Sequence, residues 1–437
     1  MKNSSMNRQI FRLAIPSIVA GITIPLVGMT DTAIAGRLGS AAAIGGIAIG
    51  SMLFDLLYWN FGFLRISTAG LTAQAYGRGD FAEAVRTGTQ SLLTAWGISI
   101  LVLLIQWPFA NLILWLTPSS PQVESFARTY FHIRIWAAPA VLPLFALRGW
   151  FIGMQNTLAS MVMDVVINVS NVVLSIYLSL YRGMGVSGIA WGTLIAQYTG
   201  LLVGFLLLGL SFGKYKKYLQ LKGVLQWSQI KRFFSLSGNL FIRSGCMLLI
   251  YNGFTFFAAD YGDTLLAVAT IMMKLLLLYS YILDGFAYAG EALVGKYIGA
   301  RNREALRVAV RQLFFWGFWV GVFSTLAYVL CDQGLLRLMT STQEVIEAAQ
   351  PFLVWLYFMP LISCLTFTWD GIYIGATAGV ALRNTMLLSV AAFYLCYFAF
   401  RHALGIQSLW IGYAAHLVTR SLAQSFMAGK HVFGRIE

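Results

Sequence analysis

Acidic side chains stand inside long apolar stretches of this sequence, where an ionised carboxylate is costly. The residues at such positions are Asp31, Asp55, Asp164, Asp284, Glu291 and Asp370. A charge at the centre of a bilayer costs about 3 kcal/mol or more, so these groups are candidates for ion or proton binding. The basic residues that could balance some of them are Arg65, Arg148, Arg243 and Lys274. Structural ion pairing is therefore the competing role for each carboxylate.

A polar stripe follows one face of the apolar stretch from residue 158 to 181. Asp164, Asn168, Asn171 and Ser175 have the spacing i, i+4, i+7 and i+11, which places their side chains on one face of a helix. Polar groups of this kind face the interior of a helical bundle rather than lipid. The stripe predicts an inward-facing polar surface on this helix.

A second polar face follows the apolar stretch from residue 264 to 295. Its members are Lys274, Tyr281, Asp284, Tyr288 and Glu291, within roughly a 100° arc of a helix. One interpretation is an ion pair of Lys274 with Asp370 or Asp284, since buried charges in membranes commonly pair. The other is a second site for a coupling ion or a ligand. Neutralisation by Lys274 would weaken any carboxylate there as a ligand for a cation.

Composition identifies the elements that must carry these groups. Of the 437 residues, 59% are hydrophobic and only 11% are charged, which is typical of a membrane protein. The apolar runs cover residues 13–35, 41–73, 88–116, 126–153, 158–181, 186–212, 233–259, 264–295, 308–331, 348–376, 379–400 and 406–428. Each run exceeds the roughly 20 residues that a spanning helix needs. Since lipid cannot satisfy open backbone groups, we predict an all-α polytopic membrane protein with twelve transmembrane helices.

The net charge of +14 fits the positive-inside rule better than nucleic-acid binding. Basic residues gather in alternate loops. Examples are Lys2, Arg8 and Arg12 before the first span, Lys214, Lys216 and Lys217 in the central loop, and Arg420, Lys430 and Arg435 at the end of the chain. We therefore expect both termini to be cytoplasmic, no cleaved signal peptide before the first span, and a lipid bilayer rather than nucleic acid as the partner.

Cysteine and histidine follow no metal-binding or redox spacing. The residues concerned are Cys246, Cys331, Cys364 and Cys396, and His132, His402, His416 and His431. A structural role is expected for each. A Walker A loop is also absent from the sequence, so ATP is not the expected energy source. No cofactor is predicted.

An internal repeat with an offset of about 222 residues divides the chain into halves. The segment 147–153 returns as 369–375, and 82–86 returns as 303–307. Six spans per half give both halves the same orientation, so we expect two parallel, pseudo-symmetric six-helix lobes around a central cleft. The predicted boundaries are 1–212 for the N-terminal lobe, 213–232 for a cytoplasmic linker and 233–437 for the C-terminal lobe.

Several fragments, taken in order, resemble the multidrug and toxic compound extrusion (MATE) family, and within it the DinF-like branch. They are Pro16 with Asp31, Gly62-Phe63-Leu64-Arg65, Gln74-Ala75-Tyr76-Gly77, Arg148-Gly149, Gly153-Met154-Gln155-Asn156, Gly185-Val186-Ser187-Gly188 and Trp369-Asp370-Gly371. The resemblance implies an antiporter, not an enzyme, in which inward flow of H⁺ or Na⁺ drives export of amphipathic or cationic drugs and metabolites. It also implies a bacterial inner-membrane location, and we expect a monomer.

The resemblance places a cation-coupling site at Asp31, Asn171, Ser175 and Thr193. The family's second carboxylate is here Ser175, and Asp164 could supply the missing charge from three turns away. A Na⁺ site would use Asp31, Asn171 and Thr193, but a hard cation favours several oxygen ligands and negative charge. A lone buried Asp31 can instead carry a proton, because removal from water disfavours the ionised carboxylate. We therefore favour H⁺ over Na⁺. Asp370 matches a carboxylate that other branches use for cations.

Prolines in the first span provide a candidate hinge. Pro16 and Pro25 each remove a backbone hydrogen bond, so the helix can bend there when Asp31 is protonated. Two alternatives to a drug exporter stay open at this point. One is a flippase for a lipid-linked saccharide, which would carry more cations in its cavity. The other is a membrane-embedded acyltransferase, which would need a catalytic histidine with partners.

Overall fold

Long helices form nearly all of the chain. The computed structural model describes residues 3–38, 40–117, 119–218, 227–340 and 342–436. The helices are α1 (Asn3–Arg37), α2 (Ala41–Arg78), α3 (Phe81–Leu116), α4 (Pro121–Gly153), α5 (Thr157–Tyr181), α6 (Gly185–Phe212), α7 (Trp227–Ala259), α8 (Asp263–Gly299), α9 (Arg303–Met339), α10 (Gln343–Gly375), α11 (Gly379–Leu404) and α12 (Gln407–His431). Within the described residues, eleven are long and apolar enough to cross a membrane.

The twelfth helix, α12, has the length of a span but a lower hydropathy. Its 25 residues extend about 37 Å at 1.5 Å per residue, more than the roughly 30 Å hydrocarbon core. Buried His416, Arg420 and Gln424 lower its mean hydropathy. These polar side chains turn toward other helices of the protein, so α12 corresponds to the last of the twelve predicted spans.

Short irregular segments interrupt several helices, including the equivalent helices α4 and α10. A 3₁₀ turn at Ile135–Ala137 lies within α4, and another at Gln350–Phe352 lies within α10. Pro143 and Pro360 follow inside the same two helices. Proline cannot donate the usual backbone hydrogen bond, so both helices carry a weak point. The predicted linker 213–232 begins as a 3₁₀ segment, Gly213–Tyr218, and residues 219–226 lie outside the described part of the chain.

The helix starts follow the internal repeat closely. Helices that begin at residues 41, 81, 121, 157 and 185 have counterparts 222 residues later, at 263, 303, 343, 379 and 407. The left-handed turn residues obey the same offset. Gly79 (φ 75°) corresponds to Arg301 (φ 52°), and Gln155 (φ 63°) corresponds to Thr377 (φ 53°). A positive φ in a residue other than glycine is uncommon, so the two halves share turn geometry as well as helix order.

Two glycines explain why the strongest repeated motif recurs. A Cβ on Gly149 would collide with the backbone carbonyl of Arg65, and a Cβ on Gly371 would collide with that of Ala287. Both contacts bring α4 against α2, or α10 against α8, at backbone distance. Small residues allow this approach between membrane helices. The repeat therefore preserves one helix crossing in each half.

Replacement of Gly371 tests this crossing. We expect Gly371→Val to destabilise the protein by about 1–3 kcal/mol, because extra methyl groups in a packed interior force the helices apart. Gly334→Val is the control, since a Cβ there meets nothing within 4 Å. The measurement is the thermal unfolding midpoint of both variants in one detergent. Equal midpoints for the two would show that the crossing tolerates a larger residue.

Contacts divide the chain into two compact units. The first unit is Val19–Phe233, and the second is Met1–Ile18 together with Phe234–Glu437. The first unit has buried Phe54, Tyr130 and Phe131 in one of its cores, and the second is built around residues such as Phe254 and Trp410. Helix α1 therefore changes units after Ile18, whereas the predicted N-terminal lobe took in the whole of residues 1–212.

The beginning of α1 is held within the second unit by specific contacts. Trp316 Nε1 donates to Asn7 Oδ1 at 3.2 Å, and Tyr297 donates its hydroxyl to Gln9 Oε1 at 3.0 Å. The Phe11 ring meets the Trp316 ring edge-on, with 4.6 Å between centroids. These contacts with α8 and α9 explain why the first residues of α1 group with the second unit.

Candidate functional site

Asp31 lies on α1, in the part of that helix that belongs to the first unit. Its side chain is 7% exposed. Within the described residues, Oδ1 of Asp31 has no hydrogen-bond partner. A buried carboxylate oxygen with open lone pairs can accept a proton or coordinate a cation. The geometry thus keeps the principal predicted coupling residue away from lipid and bulk solvent.

Arg134 supplies the positive charge that acts on Asp31. It ends a helical segment of α4, directly before the 3₁₀ turn at Ile135–Ala137. Its guanidinium interacts electrostatically with both Asp31 and Asp55. Nη1 donates to the Tyr130 hydroxyl at 2.7 Å, and the guanidinium carbon lies 4.6 Å from the Phe54 ring centroid. These contacts fix the cation, and sequence reasoning had not included it among the counter-charges.

Three predicted polar residues lie between α5 and α6. Asn171 donates from Nδ2 to Thr193 Oγ1 at 2.8 Å, and Thr193 donates to the Ile189 carbonyl at 3.1 Å. Asn171, Ser175 and Thr193 are 2%, 0% and 4% exposed. Asn171 Oδ1 and Ser175 Oγ lack partners within the described residues. The helical spacing correctly predicted that Asn171 and Ser175 face the interior.

Gly192 brings the two helices together at Ser175. A Cβ on Gly192 would lie 2.7 Å from both the backbone nitrogen and Oγ of Ser175. Only glycine leaves that space, because any other residue would push α6 away from α5. The close approach holds the hydroxyl of Ser175 in a tightly packed position.

The other two members of the stripe have partners of their own. Asp164 pairs with Arg148, whose Nε lies 2.6 Å from Oδ1. Asn168 Nδ2 donates to Thr23 Oγ1 at 2.5 Å. Asp164 and Ser175 are separated by eleven residues, or about 16 Å along a helix. Asp164 is therefore neutralised by Arg148 instead of supplying the missing charge beside Ser175.

Asp370 forms a compact ion-pair cluster in the second unit. Arg243 Nη2 donates to its Oδ2 at 2.6 Å, Arg420 donates to the same oxygen, and Gln424 Nε2 donates to Oδ1 at 3.0 Å. Asp370, Arg243 and Arg420 are 6%, 7% and 2% exposed. One carboxylate thus faces two guanidinium groups, and the cluster, which we call the Asp370 triad, carries one net positive charge.

Hydrogen bonds between α10 and α12 hold the Asp370 triad in place. Trp369 Nε1 donates to Ser425 Oγ at 2.8 Å, and the hydroxyls of Thr366 and Ser421 lie 2.6 Å apart. The Tyr373 hydroxyl donates to the Gln424 carbonyl. The carboxylate and its partners are consequently positioned by a dense set of buried polar contacts.

The remaining predicted residues of the second unit lie along α8. Lys274 is exposed and does not pair with Asp370, because Arg243 and Arg420 occupy that carboxylate. Tyr281 and Asp284 are half-buried, and Glu291 is 1% exposed. Asp284 interacts electrostatically with Tyr251, on which Arg243 and Arg420 also act. The expected partner Lys274 is thus replaced by arginines from α7 and α12.

Two cations that interact with predicted site carboxylates, Arg134 and Arg420, are missing from the counter-charges that the sequence predicts. Each lies inside a predicted apolar span, at 126–153 and 406–428. An isolated arginine in such a span is itself a signal of a buried partner. Arg420 was assigned to the basic residues that close the chain, but the structure buries it beside Asp370.

Metal ligands are not gathered anywhere in the described ranges. Within residues 3–38, 40–117, 119–218, 227–340 and 342–436, no group of three or more His, Cys, Asp or Glu side chains could hold a metal ion. His416 lies in the second unit, with Nδ1 2.7 Å from the Tyr413 carbonyl. Among the predicted coupling residues of the first unit, Asp31 on α1 has a carboxylate, and Asn171, Ser175 and Thr193 on α5 and α6 have amide and hydroxyl oxygens, which are groups that can bind a proton or a light cation.

Comparison with known proteins identifies the family. The MatE family model matches residues 16–177 and again 240–401. DNA damage-inducible protein F of Escherichia coli is 34% identical over 98% of this chain and 93% of its own length. "Probable multidrug resistance protein NorM" of Neisseria meningitidis is 23% identical over 95% of this chain and 92% of its own length.

A solved structure shows the same fold. The MATE transporter VcmN of Vibrio cholerae in the bent form superposes with a TM-score of 0.88 at 17% identity, over 99% of this chain and 98% of that chain. The predicted twelve-helix, two-lobe fold class is thereby confirmed, and the acyltransferase alternative is wrong because the family consists of transporters. The chain belongs to the multidrug and toxic compound extrusion family of membrane transporters.

Proposed function

We propose that the protein is a proton-driven antiporter in which Asp31 carries the coupling proton and a cationic or amphipathic small molecule is exported. The single observation that carries the proposal is the environment of Asp31. Its carboxylate is buried, Oδ1 has no hydrogen-bond partner within the described residues, and its positive neighbour Arg134 is itself held by Tyr130. A group so placed can change protonation without breaking an ion pair.

Protonation would change what Asp31 can bind. The ionised carboxylate only accepts hydrogen bonds, whereas the acid form adds an O–H donor. Asn171 Oδ1 and Ser175 Oγ on α5 are open acceptors in the same unit. We infer that proton uptake redirects Asp31 toward α5, and that release of the proton restores its interaction with Arg134. Two states that differ in proton affinity supply the coupling that an antiporter needs.

The bend that accompanies this change is proposed at Pro16. The division of α1 between the two units falls after Ile18, two residues beyond Pro16. A proline there removes a backbone hydrogen bond where the helix passes from one unit to the other. Pro25 lies within the first unit and is the secondary candidate.

Sodium is the less favoured coupling ion. A Na⁺ site at Asp31, Asn171 and Thr193 needs free oxygen lone pairs on each residue. Thr193 Oγ1 already accepts from Asn171 and donates to Ile189. Asp31 would then be the single charged ligand of the Na⁺ ion, because Ser175 stands at the position of the family's second carboxylate and contributes no charge. A proton needs only one such group.

Separate ion gradients in proteoliposomes test the coupling ion. A ΔpH or a Na⁺ gradient is imposed alone, and movement of a cationic dye is followed by fluorescence. We expect the proton gradient to drive the dye against its own gradient, and the Na⁺ gradient alone to leave it at the level of protein-free liposomes. Na⁺-driven movement at constant pH would contradict the proposal. An ionophore that collapses the imposed gradient is the control.

A second candidate, a flippase for an anionic lipid-linked substrate, is favoured by one observation. The Asp370 triad has two guanidinium groups for one carboxylate, and such a surplus suits a phosphate group. Translocation of a fluorescent phospholipid analogue at a rate that Asp31→Asn leaves unchanged would support the flippase. Dependence of all transport on Asp31 would support the antiporter.

For location, we propose the bacterial inner membrane with both termini in the cytoplasm and a monomeric state. The bacterial relative from Escherichia coli and the positive-inside pattern support this arrangement. The expected partners are a small-molecule substrate and the lipid bilayer, with H⁺ as the coupling ion and no cofactor. Accessibility labelling of cysteines placed at residues 5 and 430 tests the topology, since labelling of either from outside intact cells would contradict it.

A further inference from the structure

A large apolar groove lies on the first unit, away from Asp31. It encloses about 480 Å³ between α3, α4, α6 and the 3₁₀ segment that follows α6. Residues that line it include Leu92, Trp96, Trp150, Phe205 and Tyr215. The volume is within the range of small-molecule sites, about 300–1,000 Å³. The groove is not part of the coupling site described above.

The groove opens sideways from the helices. Leu93 and Trp96, which line it on α3, are 44% and 37% exposed. Gly209, which lines it on α6, is also exposed, and a Cβ there would meet nothing within 4 Å. In a membrane-spanning helix such an exposed apolar wall faces the lipid tails. The groove is therefore accessible to a lipid without passage through the interior of the protein.

The depth of the groove matches one leaflet of a bilayer. Along α3 its lining extends from Val85, near the helix start at Phe81, to Trp96. Eleven residues correspond to about 17 Å, against about 15 Å for half of the hydrocarbon core. On α6 the lining begins at Phe205 and continues past the helix end at Phe212. The length of the groove along these helices is thus close to the depth of the hydrocarbon in one leaflet.

The surface end of the groove carries uncompensated positive charge. A smaller adjoining cavity is lined by Arg86, Thr89 and Tyr218, and it shares Val85 and Thr89 with the groove. No ion pair of Arg86 occurs within the described residues, and the nearby Glu83 pairs with Arg78 at 2.6 Å. Lys217 is exposed beside Tyr218, with Nζ 5.0 Å from the ring centroid. Because the Thr89 hydroxyl donates to the Val85 carbonyl at 2.9 Å, the donors that suit a phosphate ester are the two cations and the Tyr218 hydroxyl.

From this geometry we propose that the groove binds an anionic phospholipid of the adjacent leaflet, with an acyl chain between α3 and α6 and the phosphate at Arg86. The apolar lining, the one-leaflet depth and the basic mouth each match a different part of that molecule. Basic residues at the membrane surface attract anionic lipids. This site differs from the contacts that any membrane protein makes with surrounding lipid, because here the acyl chain enters between two helices instead of lying over their surface.

Native mass spectrometry of the full-length protein tests the site. The probes are phosphatidylglycerol and phosphatidylcholine with identical acyl chains, titrated in one detergent. We expect one tightly held phosphatidylglycerol, and binding of phosphatidylcholine that is weaker by about fivefold, the effect of one surface cation. Arg86→Gln should remove the difference between the two lipids. Equal affinities in the wild-type protein would overturn the proposed phosphate site.

A substitution that fills the groove tests whether the acyl chain lies in it. Gly209→Trp places a large ring in the open space and should weaken binding of both lipids by about tenfold, because the apolar burial is lost. Gly97→Trp is the matched control, since Gly97 is an exposed glycine on α3 whose Cβ would also meet nothing within 4 Å. Unchanged lipid binding by a monodisperse Gly209→Trp protein would show that the lipid lies elsewhere. If Gly209→Trp fails to fold, Arg86→Gln provides an independent test of the lipid site, because Arg86 is partly exposed and its replacement leaves the packed interior unchanged.

Discussion

Asp31→Asn is expected to reduce proton-driven export to the level of protein-free liposomes while the protein still folds. Asparagine keeps the size of the side chain but cannot be ionised, so it binds no coupling proton in the pH range of transport. The change also removes a buried charge that has no ion-pair partner within the described residues, and no loss of stability is expected from that removal. The expected result is therefore a loss of coupling without a loss of fold.

The measurement combines dye transport under an imposed ΔpH with the unfolding midpoint of the same preparation. Asp55→Asn is the matched control, because Asp55 also interacts with Arg134 but is exposed. We expect it to retain most of the transport. Export by Asp31→Asn at the wild-type rate would contradict the coupling role. A midpoint that falls together with transport would assign the loss to folding instead.

Asp370→Asn is expected to have the largest effect on stability. The change removes the carboxylate to which two buried guanidinium groups, Arg243 and Arg420, both donate. Breaking a buried ion pair by removing one partner typically costs about 3–5 kcal/mol. Arg420→Gln should cost less, because Arg243 and Asp370 remain as a neutral pair. We therefore expect Asp370→Asn to lower the free energy of unfolding more than the loss of either arginine does.

Thermal unfolding in detergent measures the stability of each variant. A triple variant that removes all charges of the Asp370 triad provides a further test. Asp370→Asn combined with Arg243→Gln and Arg420→Gln removes all three charges and should recover much of the lost stability, since no unpaired charge remains. Asp164→Asn serves as the comparison, because its pair with Arg148 is less buried, with 18% and 17% of the two side chains exposed. Equal losses for Asp370→Asn and Arg420→Gln would argue against a net positive cluster.

The fold was predictable from the sequence because lipid leaves few alternatives. Backbone groups in a bilayer must bond within a helix, so long apolar runs identify the spans directly. The half-chain repeat was visible in the motifs around Gly149 and Gly371, and the structure explains both as backbone contacts with Arg65 and Ala287. What the pattern missed is local, such as the 3₁₀ turns within α4 and α10.

The site was only partly predictable, and charge partners account for the difference. Helical periodicity correctly placed Asn171 and Ser175 in the interior, because spacing determines the face of a helix. Spacing does not determine depth or which residue lies opposite. Arg134 and Arg420 were therefore overlooked, and Lys274 was preferred for a pairing that the structure assigns to Arg243 and Arg420. A hydropathy average over about 20 residues is little changed by a single arginine in an otherwise apolar span, so such a residue is easily overlooked.

The division of α1 between units has a consequence for biosynthesis. Asn7 and Phe11 leave the ribosome well before Trp316, their partner on α9, which is made about 300 residues later. At 5–20 residues per second the wait is roughly 15–60 s. During translation, the segment around Asn7 and Phe11 must therefore wait for α9 before it can make these contacts.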